Sequence, residues 1–172
     1  MHLGTNNPRK QYYMTDDPSH PPILQTDTEK DLGVNIDNKL SFDSHIQTTI
    51  AKANQMLAII RRTFEHPTEE TLLLLYKTLI RPVLEYGNTI SYPSLVRQSK
   101  ALEKVQRRAT KLTPSLKKLD YEARLRKLNL FSLKYRRTRG DLIEMYKITH
   151  NHYNQIQVPL HYNNSSTRGH QG

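Results

Sequence analysis

Between Ser41 and Phe64 the chain reads SFDSHIQTTIAKANQMLAIIRRTF, and its apolar residues Ile46, Ile50, Ala53, Leu57, Ile60 and Phe64 recur at steps of three and four. That period places them on one stripe of an α-helix facing a core. A helix of this length with one apolar face needs other elements to cover it, so the pattern predicts a packed helical body. The following segment, PTEETLLLLYKTLIRPVLEYGNTI, continues the helical reading. Pro67 suits a first-turn position, and Glu69 and Glu70 suit a helix N-terminus. Its run Leu72 to Leu75 is apolar nearly all round, which predicts burial on more than one side. Pro82 removes an internal hydrogen bond and predicts a kink or break near Ile80 and Arg81, with a stop at Tyr86-Gly87-Asn88.

A third helix is predicted over about Gln98 to Leu112. Ala101, Leu102, Val105, Ala109 and Leu112 form its apolar stripe, and Lys100, Lys104, Arg107 and Lys111 recur on the opposite side. Beyond Pro114 come a short helix near Tyr121 to Leu128, with Asp120 as N-cap, and a longer one from Ser132 to about His150. The N-terminal part reads differently. QYYM (11–14) and ILQTDT (23–28) are short extended candidates, and LGVNID (32–37) sets Leu32, Val34 and Ile36 on one side with the period of a half-buried strand. The expected fold class is α+β, mainly α: a short antiparallel strand region followed by about five packed helices. The segment 154–172, rich in Asn, Ser, Thr, Gly and His, reads as a disordered tail.

With 172 residues the chain suffices for one domain with a real core. It has no cysteine, which excludes disulfides and thiolate metal sites. No apolar run is long enough to span a bilayer, so we expect no membrane partner and an intracellular protein, cytoplasmic or nuclear. The net charge is +10. From Arg97 to Arg139 fifteen basic residues face three acidic ones, Glu103, Asp120 and Glu122, so this stretch alone exceeds the surplus of the whole chain. Such one-signed charge with tyrosines and a phenylalanine among it (Tyr121, Phe131, Tyr135) suits a polyanionic partner, RNA or DNA, although charge runs are also ordinary solvated helix faces.

Motifs for catalysis are missing. YYMTDDPSH (12–20) pairs Asp16 with Asp17, but a two-metal site needs carboxylates on rigid strands, and Asp17 runs into Pro18, with Pro21 and Pro22 close behind. A solvated turn is the better reading. His150 and His152 are two apart, the wrong spacing for a metal pair on a helix, and His45 and His66 read as helix-end or surface residues. There is no glycine-rich phosphate loop and no nucleophile in an elbow context. No catalytic, metal or cofactor site is expected.

Five phrases in order, EKDLGVNID, KANQMLAIIRRTF, LLLLYKTLIRPVLEYGNTI, LEKVQRRATKL and YEARLRKLNLFSLKYRRTRGDLIEMYK, resemble the region after the catalytic palm in reverse transcriptases of LINE-like, jockey-type non-LTR retrotransposons. The resemblance runs from Met1 to about Tyr153. It implies a strand-rich end of the palm over 1–40, a helical thumb and C-terminal connector over 41–153, and a catalytic aspartate pair upstream of Met1. The fragment would then bind a primer–template without sequence preference and would not be an enzyme in isolation. The parent RNA-directed DNA polymerase would use magnesium, and its palm and fingers would be the protein partners. Candidate contacts are Arg61, Arg62, Lys100, Lys104, Arg107, Arg108, Lys111, Arg136 and Arg137. Relative to the family, Ser91 and Tyr92 stand near a usual tryptophan, Phe131 at a usual proline and Thr113 at a usual apolar residue. A helical protein-interaction module and a nonfunctional remnant of a mobile element are the alternatives.

Overall fold

A computed structural model describes residues 1–4, 6–15, 19–93, 95–150 and 152–153. Asp16 and Asp17, and the expected tail over 154–172, lie outside the described residues. The fold is mainly α with a small antiparallel sheet. Strands β1 (Thr28–Asp31) and β2 (Val34–Asp37) pair with Thr28 opposite Asp37 and Asp31 opposite Val34. Leu32 and Gly33 make the two-residue turn, both at positive φ (44° and 83°), the geometry that matches the twist of a hairpin. This corrects the alternation expected for LGVNID. Val34 is buried and Ile36 half-buried, but Leu32 sits at the tip, 85% exposed. QYYM and most of ILQTDT form no strand; a single bond from the Ile23 N–H to the Tyr12 carbonyl (2.7 Å) links them. Pro21 and Pro22, which lack the N–H a ladder needs, separate the two segments.

The hairpin joins the helical body through Asp37. Its carboxylate accepts from the N–H groups of Lys39 (3.0 Å), Ser41 (3.0 Å) and Phe42 (2.7 Å) and from the Ser41 hydroxyl (3.0 Å). Burial opposes ionisation, but these donors outweigh it and hold the carboxyl below the ordinary carboxylate range. They also satisfy backbone groups at the start of α1 (Asp43–Thr63), whose N-cap Phe42 is left-handed and contributes no side-chain cap. The α1 stripe is buried as its period predicts, at Ile46, Ala53, Leu57 and Ile60, with Ile50 half-buried; Phe64 is the exception and is exposed.

Pro67 precedes the next helix instead of entering its first turn. Thr68 is the N-cap, accepting from the Thr71 N–H at 3.2 Å. Helix α2 (Glu69–Leu75) runs without a break into a π-helical turn (Tyr76–Ile80) and α3 (Arg81–Glu85). Of the kink or break expected near Ile80 and Arg81, the break is absent and the disturbance takes the form of this π turn. A proline ring crowds the carbonyl four residues back, and here the turn before it is widened, with the Arg81 N–H bonded to the Tyr76 carbonyl. Leu72 is buried, but Leu74 is 64% exposed, so this helix does not bury all its leucines. It ends at Tyr86, and Gly87 (φ 68°) follows, where an added Cβ would lie 3.1 Å from the Val34 side chain.

Helix α4 (Val96–Ala109) packs on α1 and α6. Asp43 meets Arg97 and Gln98, and Asn54 meets Arg108, so α1 and α4 run parallel, N-terminus beside N-terminus. A 3-10 turn (Pro114–Leu116) leads to α5 (Tyr121–Lys127) and α6 (Leu133–Thr149). Asp120 and Ser132 cap them, accepting from Ala123 (2.6 Å) and Tyr135 (3.1 Å). The main core joins α1 and the π turn to Leu84, Leu102, Val105, Ala109 and Leu133, and a second core holds Leu72, Leu116 and Leu128.

Candidate nucleic-acid interface

Because α1 and α4 are parallel, their C-terminal ends lie on the same side of the body. Both ends carry cations, Arg61 and Arg62 on one and Arg107 and Arg108 on the other. Part of that charge offsets the negative ends of the two helix dipoles. A groove of about 1040 Å³ opens there, lined by Arg61, Arg62, Arg108, Lys111 and Lys117, with Glu65 as its one carboxylate among the described residues. Leu57, Ala58, Phe64 and Leu112 provide its apolar lining. Arg108 is steadied by Asn54, donating to Oδ1 at 2.9 Å. Among the described residues, Arg61, Arg62, Lys111 and Lys117 enter no ion pair.

Four of the nine predicted contacts thus meet in one groove: Arg61, Arg62, Arg108 and Lys111. Sequence reasoning had no reason to add Lys117, which the turn after Pro114 brings back beside them. Lys100 and Lys104 are exposed on α4 but do not line the groove. Arg107, also exposed, lies over the Tyr121 ring at 4.3 Å from its centroid. That ring is half-buried with its hydroxyl bonded to Glu103, and burial followed by the Glu103 contact pushes the phenol far above its ordinary range. Phe131 and Tyr135 stack on each other, 4.9 Å between centroids, away from the groove lining.

Arg136 and Arg137 do not line this groove. Arg136 forms a two-pronged pair with Glu85, through Nε and through Nη2 at 2.9 Å. Arg137 is 4% exposed, its Nη2 buried without a hydrogen-bond partner. Arg136 thus turns toward α3 while staying partly exposed, whereas Arg137 is buried.

A second cavity, of about 430 Å³, lies between the hairpin, the first turns of α1 and the end of α3. His45 lines it, in the first turn of α1 at the helix end that was one of its expected places, and is buried at 5% exposure. The Asn35 N–H donates to its Nδ1 at 3.4 Å, which leaves the proton on Nε2, and Nε2 meets no partner in hydrogen-bond geometry. Burial, with the Lys52 charge adding to it and the Tyr86 backbone opposing, lowers its pKa.

Among the described residues no cluster of three His, Cys, Asp or Glu side chains could hold a metal ion. No helix of the described residues is long and apolar enough to cross a membrane. Compared with protein-family models, with curated proteins and with solved structures, the chain gives no match.

Proposed function

We propose that this chain is a nucleic-acid-gripping piece of a retrotransposon-type RNA-directed DNA polymerase, the helical thumb and connector that follow the palm. On this reading it holds the sugar–phosphate backbone of a primer–template without sequence preference, and bond formation belongs to palm carboxylates on another segment. The observation that carries the proposal is the convergence of Arg61, Arg62, Arg108, Lys111 and Lys117 on one groove with a single opposing carboxylate among the described residues. Cations placed so follow successive phosphates and release counterions as they bind. If all five engage, log affinity falls against log salt with a slope contribution of up to about −3.5 on a single strand and about −4.5 on a duplex.

The test is a labelled-oligonucleotide titration over a salt series, with wild type beside a variant in which the five are glutamine. Saturable binding with a slope that flattens in the variant supports the reading. Absence of saturable binding at low salt rejects it. A protein-interaction module is the second reading, favoured by the exposed apolar residues Leu142, Met145 and Tyr146 on α6.

A further inference from the structure

The groove has two kinds of lining. Its cations have long side chains that reach outward, while Leu57 is buried, Leu112 half-buried, and the Phe64 ring is 39% exposed. Among the described residues, Phe64 is the one aromatic that lines the groove. Its backbone is fixed, since its N–H donates to the Ile60 carbonyl at 2.9 Å, but its extended conformation (φ −118°, ψ 104°) takes it off the helical path of α1. A ring that completed the core stripe would be buried with Ile60; this one keeps part of its surface open in the groove lined by Arg61, Arg62 and Lys111.

A duplex turns its sugar–phosphate backbone outward and keeps its base faces stacked inside, so it would satisfy the cations and leave the apolar floor and ring unused. A single strand can set phosphates on the cations and turn a base face toward the floor, and an aromatic ring within a cationic groove is the arrangement that base stacking uses. Resting on the reading of the groove given above, we infer that it takes single-stranded nucleic acid and that Phe64 stacks on one base. Phe64 is then the residue that discriminates strand form, and the cations supply affinity common to both forms.

The chain contains no tryptophan, so Phe64→Trp places a sole indole reporter in the groove. The experiment titrates the full chain with oligothymidylate and with a duplex of the same length, following anisotropy of the labelled oligonucleotide and, for the Trp variant, indole emission. The expected results are tighter binding of the single strand, emission quenched by the single strand but not by the duplex, and Phe64→Leu weakening single-strand binding by about 5- to 100-fold with an unchanged salt slope. Equal affinity for the two forms, or single-strand binding unaffected by Phe64→Leu, overturns the inference, as does an unquenched indole at saturation. If Phe64→Leu lowers the melting temperature, the Trp variant's quenching decides alone. Polyglutamate displacing the strand at equal charge concentration overturns it in favour of an acidic protein partner. The underlying groove reading fails separately, when replacing Arg61, Arg62 and Lys111 by glutamine leaves all binding unchanged.

Discussion

The Tyr76 hydroxyl donates to Gln106 Oε1 across 2.7 Å in the buried centre of the helical body, joining the π turn to α4. The same amide passes the connection on, its Nε2 donating to the Phe131 carbonyl at 2.9 Å. Gln106→Leu strands a buried hydroxyl and a carbonyl together, and each unsatisfied group costs about 1–3 kcal/mol. We expect a loss of about 2–4 kcal/mol in urea unfolding. Tyr76→Phe leaves only the amide oxygen wanting and should cost less, with the double variant less than additive.

Thr113 is buried and its hydroxyl has no hydrogen-bond partner. Thr113→Val keeps the shape and removes the stranded oxygen. Stability should rise by about 1 kcal/mol, a gain of roughly 2–4 °C in Tm for a domain of this size. A thermal melt followed by circular dichroism checks it, and an unchanged or lower Tm refutes it.

Two pH windows follow from His45 and Asp37. The folded state holds His45 neutral, with a pKa below that of the unfolded chain. Its contribution is complete above about pH 6.5 and declines as pH falls from there, because only the unfolded chain takes up the proton. Melts between neutral pH and about pH 5.5 should show Tm falling in wild type and less so in His45→Asn. Asp37 acts lower: its folded pKa is depressed, so its contribution is present above the ordinary carboxylate value and lost as pH falls through the folded one. Asp37→Asn should remove that acid limb.

Arg136 and the groove cations should separate in a paired measurement. Arg136→Gln loses the two bonds to Glu85, leaving that carboxylate with Arg81 at 4.0 Å. With the pair partly exposed, the expected cost is about 1–2 kcal/mol. The salt slope for oligonucleotide binding should not move. Replacing Arg61 and Lys111 by glutamine should do the reverse, flattening the slope by about 1.4–1.8 with little change in Tm.

The helices were readable because their signals are local. The three-and-four spacing in α1 and α4, the cap Asp120 and the helix start at Ser132 depend on neighbours within a turn. Leu32 was misplaced because alternation alone does not reveal that Leu32-Gly33 takes positive φ and ends the strand. Pro82 announced a disturbance but not its form, since a break and a widened turn both relieve the same crowding. For the groove, the sequence offered the cations but not their meeting. Arg61 reaches Arg108 and Lys111 only because α1 and α4 pack in parallel, and Arg136 is withdrawn by a glutamate far back in the chain. Phe64 looked like the last residue of the stripe, and only the extended backbone after Thr63 shows that it leaves it.

The widened turn at Tyr76–Ile80 is in effect a spare residue lodged in an otherwise continuous rod. Winding that turn into ordinary α geometry with every residue kept would swing everything downstream by about 100°, the angular step of one residue in a 3.6-residue turn, whereas excising one position would let the rod close with its far half nearly in place. In a regular rod of the same length Leu84 would leave the core and Glu85 would turn away from Arg136, so the second half of the molecule keeps its facing because the wide turn absorbs one surplus unit.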